Sequence, residues 1–111
     1  MTASKVTLSG FIKVAPDEIQ KVKKHLQRHI QLTREEPGCI DFTVSQRASN
    51  PLIFDVYEEF KDGVAFDDHQ IRVRQSEWAE ATKNVERNYV IQNTEEGSTF
   101  PNNLMTKNDK R

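Results

Sequence analysis

Apolar residues in this chain recur with two periods, and the order in which those periods alternate limits the possible folds more than any other feature. Val6, Leu8, Gly10, Ile12 and Val14 share one parity, with Thr7, Ser9 and Lys13 between them and Phe11 breaking the polar side. That pattern predicts a strand with one face buried and the other partly so. Ala15-Pro16-Asp17-Glu18 reads as a helix start, because proline's missing N–H has no partner in the first turn and acids suit the positive end of the dipole. Ile19, Val22, Leu26 and Ile30 follow at spacings of three and four, with Lys21, Lys24, Gln27, Arg28 and Gln31 opposite. Glu36-Pro37-Gly38 stops this helix. Alternation then returns: Ile40, Phe42 and Val44 mark a second strand, and Leu52, Phe54, Val56, Glu58 and Phe60 a third. The polar turn from Arg47 to Pro51 is short enough to make these two a hairpin. Lys61-Asp62-Gly63 opens a second helix, with Ala65, Phe66, His69, Val73 and Ser76 on one face, Arg72 at its edge, and Val64 and Ile71 roughly opposite. Ser76 is placed to cap a further segment running through Trp78 to about Lys83, and a break there would swing Trp78 back towards the core. Val85 to Gln92 predicts a fourth strand, with Val85, Tyr89 and Ile91 on one face.

The order is β-α-β-β-α-β. It predicts an α+β, ferredoxin-like split fold, an antiparallel four-stranded sheet with its helices on one face. Residues 1–92 form the expected domain. Residues 93–111 form a polar tail in which Phe100, Leu104 and Met105 are isolated apolar points. This tail is expected to be either disordered or an arm laid on a partner subunit. Phe11, Ile53, Tyr57 and Val90 point away from the helices. An apolar patch on an uncovered sheet face predicts a homodimer whose two sheets pack face to face into a dimeric α/β barrel.

Composition narrows the function classes. The 111 residues suit one domain, and 35% hydrophobic residues give only a modest core. Sixteen basic and 17 acidic residues are interspersed for a net charge of -1, so no basic block offers a nucleic-acid footprint. One cysteine, Cys39, rules out an intrachain disulfide framework and a cysteine-based zinc site. The N-terminal stretch has no signal-peptide core, and no apolar run reaches membrane-spanning length, which leads us to expect a cytoplasmic protein without membrane contact.

His69 is the residue that scaffold arguments do not explain. It sits in the apolar stripe of the second helix, where Leu or Val would serve. Glu58 shares the helix-facing side of the third strand with Phe54, Val56 and Phe60, so acid and imidazole converge inside an apolar layer. Either alone would carry a desolvation penalty, and together they would pair. One reading makes His69 a general base oriented by Glu58; the other makes them a structural tie between helix and sheet. Arg72, one turn on, is placed to stabilise an anion or developing oxyanion, or to cover apolar surface with its stem. Phe54, Phe66, Val73 and Trp78 are candidate pocket walls for a planar ring, although plain core is the simpler role for Trp78 and an interface role the simpler one for Tyr57. His25 and His29 have the i, i+4 spacing of metal ligands, but no third ligand is evident, and both look like boundary or solvated residues. Cys39 lacks a cationic neighbour in the sequence and reads as an inert thiol. No glycine-rich phosphate loop, cysteine cluster or metal triad is apparent, so no cofactor or metal is expected.

Three stretches, taken in order, resemble the antibiotic biosynthesis monooxygenase family, which includes quinol-monooxygenase-like dimeric α/β-barrel proteins. They are Glu36-Pro37-Gly38-Cys39-Ile40, Phe54-Asp55-Val56-Tyr57-Glu58-Glu59-Phe60 and Ala65-Phe66-Asp67-Asp68-His69. Arg72, Ser76 and Trp78 resemble a bacterial branch of that group, and the resemblance spans roughly residues 5 to 92. It implies a cofactor-independent monooxygenase acting on a small aromatic, quinol or polyphenol substrate, with His69 as base. Haem-degrading members use an Asn on the first strand and a Trp and a His on the second helix. Here strand one has no Asn and His69 takes the Trp position, which disfavours haem degradation. Two other readings remain open at this point. One is a non-catalytic dimer that binds a small molecule or serves in a stress response. The other is an isomerase of a small hydroxy-carbonyl compound. One fold hosts all three.

Overall fold

A computed structural model describes residues 4–93 and the backbone of 98–100. The elements run β1 Val6–Lys13, a 3-10 turn Pro16–Glu18, α1 Ile19–Arg34, β2 Cys39–Gln46, β3 Ile53–Phe60, α2 Gly63–Arg74, α3 Glu77–Ala81, β4 Glu86–Asn93 and β5 Ser98–Phe100. All strand pairs are antiparallel, in the order β2-β3-β1-β4-β5. The ferredoxin-like α+β fold is therefore present. Within one chain the sheet is open rather than closed into a barrel. β5 is an addition that the alternation did not predict, pairing with the end of β4. The remaining tail residues, Leu104 and Met105 among them, lie outside the described residues.

The core sits between the sheet and the helices. Val6, Leu8 and Ile12 of β1, Phe54, Val56 and Phe60 of β3 and Tyr89 and Ile91 of β4 meet Val22 and Leu26 of α1 and Phe66 of α2. On the opposite face Ile53 is buried, Phe11 is half-buried beneath the Arg47 guanidinium, and Tyr57 and Val90 are exposed.

Two glycines mark close approaches. Gly10 has φ +152°, and a Cβ there would lie 1.8 Å from the Asn88 carbonyl oxygen of the adjoining strand. At Gly38 a Cβ would lie 2.3 Å from Cβ of Ala65. The Glu36-Pro37-Gly38 turn can thus press against the first turn of α2, held by the Lys61 N–H donating to the Gly38 carbonyl at 2.9 Å. This contact brings Glu36 beside α2.

Entering β2, a bulge between Cys39 and Asp41 alters the expected alternation. The extra residue flips side chains relative to the pleat. Ile40, expected on the same face as Phe42 and Val44, is instead 49% exposed, and Cys39 packs on the core. The break after α2 falls where the sequence put it. The Ser76 side chain accepts from the Ala79 N–H and donates to the Val73 carbonyl, ending one helix and capping the next.

Candidate active site

His69 is 1% exposed and lies between two carboxylates from different elements. Its Nδ1 is 3.1 Å from both oxygens of Glu36, in the turn after α1. Its Nε2 is 3.7 Å from Oε1 of Glu58 on β3. Phe60 and Phe42 flank the ring, with centroids 4.8 and 6.1 Å away. The anticipated approach of Glu58 to His69 is present, but the hydrogen-bonding carboxylate is Glu36, which the sequence marks as a helix stop and as the start of the family-like stretch 36–40, not as a partner of His69. A faint signal existed: a glutamate just before a Pro-Gly turn has its backbone direction fixed by that turn. What it would touch depends on the Gly38–Ala65 contact, which no periodicity encodes.

Arg72 supports Glu36. Its Nε donates to Glu36 Oε2 at 2.5 Å and its Nη2 to Thr33 Oγ1 at 3.0 Å. Burial works to raise the Glu36 pKa, but hydrogen bonds and charge from His69 and Arg72 outweigh it and hold the carboxyl below its ordinary 4.5. Cys39, near the same acids, is pushed up to about 11 by burial and by the charges of Glu36, Glu58 and Asp41.

Below the helices lies a small cavity of about 20 Å³, bordered by His69, Glu58, His29, Trp78, Arg87 and Tyr89 and by apolar side chains including Phe42 and Val73. It is large enough for a single water. Of the anticipated pocket residues, Val73 and Trp78 border it, whereas Phe54 and Phe66 lie in the core cluster away from it. Arg72 does not border it either. Arg87 of β4 does, with Nη2 donating to Thr82 Oγ1 at 3.0 Å.

His29 corrects the expectation of a solvated residue. It is 6% exposed, stacked on Trp78 with centroids 4.6 Å apart and planes 5° from parallel. The i, i+4 partner His25 is half-buried instead, 3.8 Å from Glu77. The reason is the break at Ser76, which folds α3 back over α1 and roofs His29 with Trp78. On the outer side the same stack borders a groove of about 340 Å³, with Arg28, Leu32, Arg72 and Gln75 in its walls. A second outer groove, about 390 Å³, is bordered by Glu36, Gly38, Lys61, Asp68 and Arg72. Among the described residues no helix is long and apolar enough to cross a membrane.

Comparison with known proteins agrees with this fold. No curated protein matches the chain. Among solved structures, a candidate antibiotic biosynthesis monooxygenase from Nitrosomonas europaea superposes with TM-score 0.67 at 21% identity, over 84% of this chain and 91% of that one. Another from Deinococcus radiodurans gives 0.62 at 19%, over 78% and 88%. A conserved protein from Methanosarcina mazei Go1 gives 0.59 at 27%, over 79% and 91%. The likenesses below 25% identity speak for the fold. The family model for antibiotic biosynthesis monooxygenases matches residues 6–84, most of the described domain, and the chain belongs to that family.

Proposed function

We propose that this protein is a cofactor-independent monooxygenase of a small aromatic, quinol or polyphenol substrate, with His69 as general base. The observation that carries this reading is the placement of the His69 ring. One nitrogen is engaged by Glu36, and the other faces a cavity bordered by Glu58, Arg87 and aromatic walls. A base in a water-poor layer can take a phenolic proton and leave an electron-rich anion. That anion reduces dioxygen itself. One oxygen atom becomes a new quinone carbonyl on a ring carbon that loses its hydrogen. The other leaves as water with that hydrogen and the phenolic one, so no external reductant is needed. Arg87 is the cation placed to stabilise negative charge on the bound oxygen.

A ring-sized ligand needs a cavity of roughly 300 Å³ or more. In this reading it enters from the outer groove as the His29–Trp78 stack moves aside, joining groove and inner cavity. The test is oxygen uptake with hydroquinones and polyphenols by the wild type and by His69→Ala. Uptake that falls by roughly 10²-fold or more in the variant supports a base role. No uptake by the wild type across the panel, or uptake unchanged by the substitution, overturns it.

A further inference from the structure

The two ring nitrogens of His69 have different surroundings. Nδ1 meets Glu36, whose side chain is 16% exposed and borders the 390 Å³ outer groove. Nε2 looks across the inner cavity to Glu58, whose side chain is 4% exposed. The ring is itself sealed, at 1%. Glu36, His69 and the cavity therefore form a line from solvent to the interior. We propose that Glu36 is a positioning residue for His69. It holds the ring proton on Nδ1, leaves the Nε2 lone pair facing the cavity, and links the sealed ring to water in the groove.

Three facts support this assignment. Both Glu36 oxygens lie 3.1 Å from Nδ1, whereas the Glu58 oxygen is 3.7 Å from Nε2, beyond ordinary hydrogen-bond length. Glu36 keeps its negative charge, because His69 and Arg72 outweigh its burial. An ionised carboxylate only accepts, so a hydrogen bond to it requires the proton to be on the ring nitrogen. Third, Arg72 donates from Nε to Glu36 Oε2 and is itself held by Nη2 donating to Thr33 Oγ1, so the carboxylate has one orientation to offer the ring. A carboxylate so placed sets the tautomer and stabilises the imidazolium that forms when Nε2 accepts a proton.

The proton balance is simple. A proton gained at Nε2 makes the imidazolium, whose charge the ionised Glu36 balances while the ring keeps its Nδ1–H. When Nε2 later gives that proton to an acceptor in the cavity, the ring returns to its neutral Nδ1–H form. No electron moves and no bond to carbon changes.

This inference adds a residue to the proposed active site, but its test needs no substrate. Multiple-bond ¹H–¹⁵N spectra of labelled protein, recorded across a pH series, report the His69 tautomer from the shifts of its two ring nitrogens. The wild type should show mainly the Nδ1–H form, with that proton in saturation-transfer exchange with water although the ring is buried. In Glu36→Ala the remaining carboxylate is Glu58, and the proton should move to Nε2. A wild-type Nε2–H ring, an Nδ1–H proton that does not exchange with water, or an Nδ1–H form that persists in Glu36→Ala would each overturn the assignment. Should the alanine variant fail to fold, Glu36→Leu, which fills the same space without offering an acceptor, serves. An unchanged tautomer population there overturns the assignment, and a rise in the Nε2–H form supports it. With an active substrate in hand, Glu36→Gln should lower kcat by roughly 10²-fold and leave KM nearly unchanged. Failure of the oxygen-uptake assay leaves the tautomer result standing, and the reverse also holds.

Discussion

Removing Glu36 should destabilise the protein by an amount that the local geometry bounds. Glu36→Ala takes the partner from a ring nitrogen that is almost fully sealed, and a buried polar atom left without one costs about 1–3 kcal/mol. It also takes the anion from Arg72, whose side chain is 30% exposed and can turn to water, which adds about 0–1 kcal/mol. The total centres on about 2 kcal/mol, or roughly 8–16 °C in Tm for a domain of this size. Glu36→Gln keeps the shape and one acceptor oxygen, so it should cost roughly half as much. The pH dependence carries a sign. The folded-state pKa of Glu36 lies below its ordinary 4.5. Its contribution is therefore complete above that value and is lost as pH falls through the depressed folded value. Urea titrations of wild type and Glu36→Gln should differ by a constant amount near neutrality, and the gap should close in acid. Asp55 and Glu80, also held low by hydrogen bonds from Arg47 and Lys83, titrate alike in both proteins and cancel. A loss below about 0.5 kcal/mol in Glu36→Ala, the range of ordinary surface substitutions, would refute the reasoning. So would a Glu36→Gln difference that stays flat from neutrality into acid.

Two further outcomes follow from close packing and from burial. Gly10→Ala should cost about 3 kcal/mol or more, because it forces a side chain onto a positive φ and drives Cβ to 1.8 Å from the Asn88 oxygen; a urea midpoint close to wild type would contradict it. Cys39, with its thiol pushed up to about 11, should react with a disulfide reagent near pH 8 roughly two orders of magnitude more slowly in the folded than in the urea-unfolded chain, and equal rates would contradict that.

The fold was legible because its signals are local and repeated. Period-two alternation in β1 and β3 and three-and-four spacing in α1 each recur over several residues, and they agree on one layer order. Even the α2–α3 break was readable, since Ser76 carries both the stop and the cap. What escaped was set by pairs distant in sequence. The bulge at Cys39–Asp41 depends on how β2 meets β3, so the outward turn of Ile40 has no local mark. His29 looked like a boundary residue on the wheel of α1, but α3 covers it from 49 positions further along the chain. Glu36 reaches His69 across 33 positions through a glycine contact between turn and helix. Helix-stop chemistry accounted for it so well that nothing pointed to a second role.

Of the residues around His69, Glu58 departs furthest from the pattern of its own strand. It occupies a position of β3 where Phe54, Val56 and Phe60 set an apolar parity, and it is 3% exposed. Glu36 already satisfies Nδ1, and a hydrophobic residue at 58 would have continued the core. Buried ionic groups replaced by well-packed apolar ones are often neutral or stabilising. The ring thus meets two carboxylates, Glu36 from the turn after α1 and Glu58 from the sheet, on opposite ring nitrogens and with unequal access to solvent. That asymmetry is what a proton-handling imidazole requires: one side fixed and connected outward, the other turned to a small cavity. It argues for chemistry at His69 more strongly than burial does, because burial alone would have been met as well by Leu.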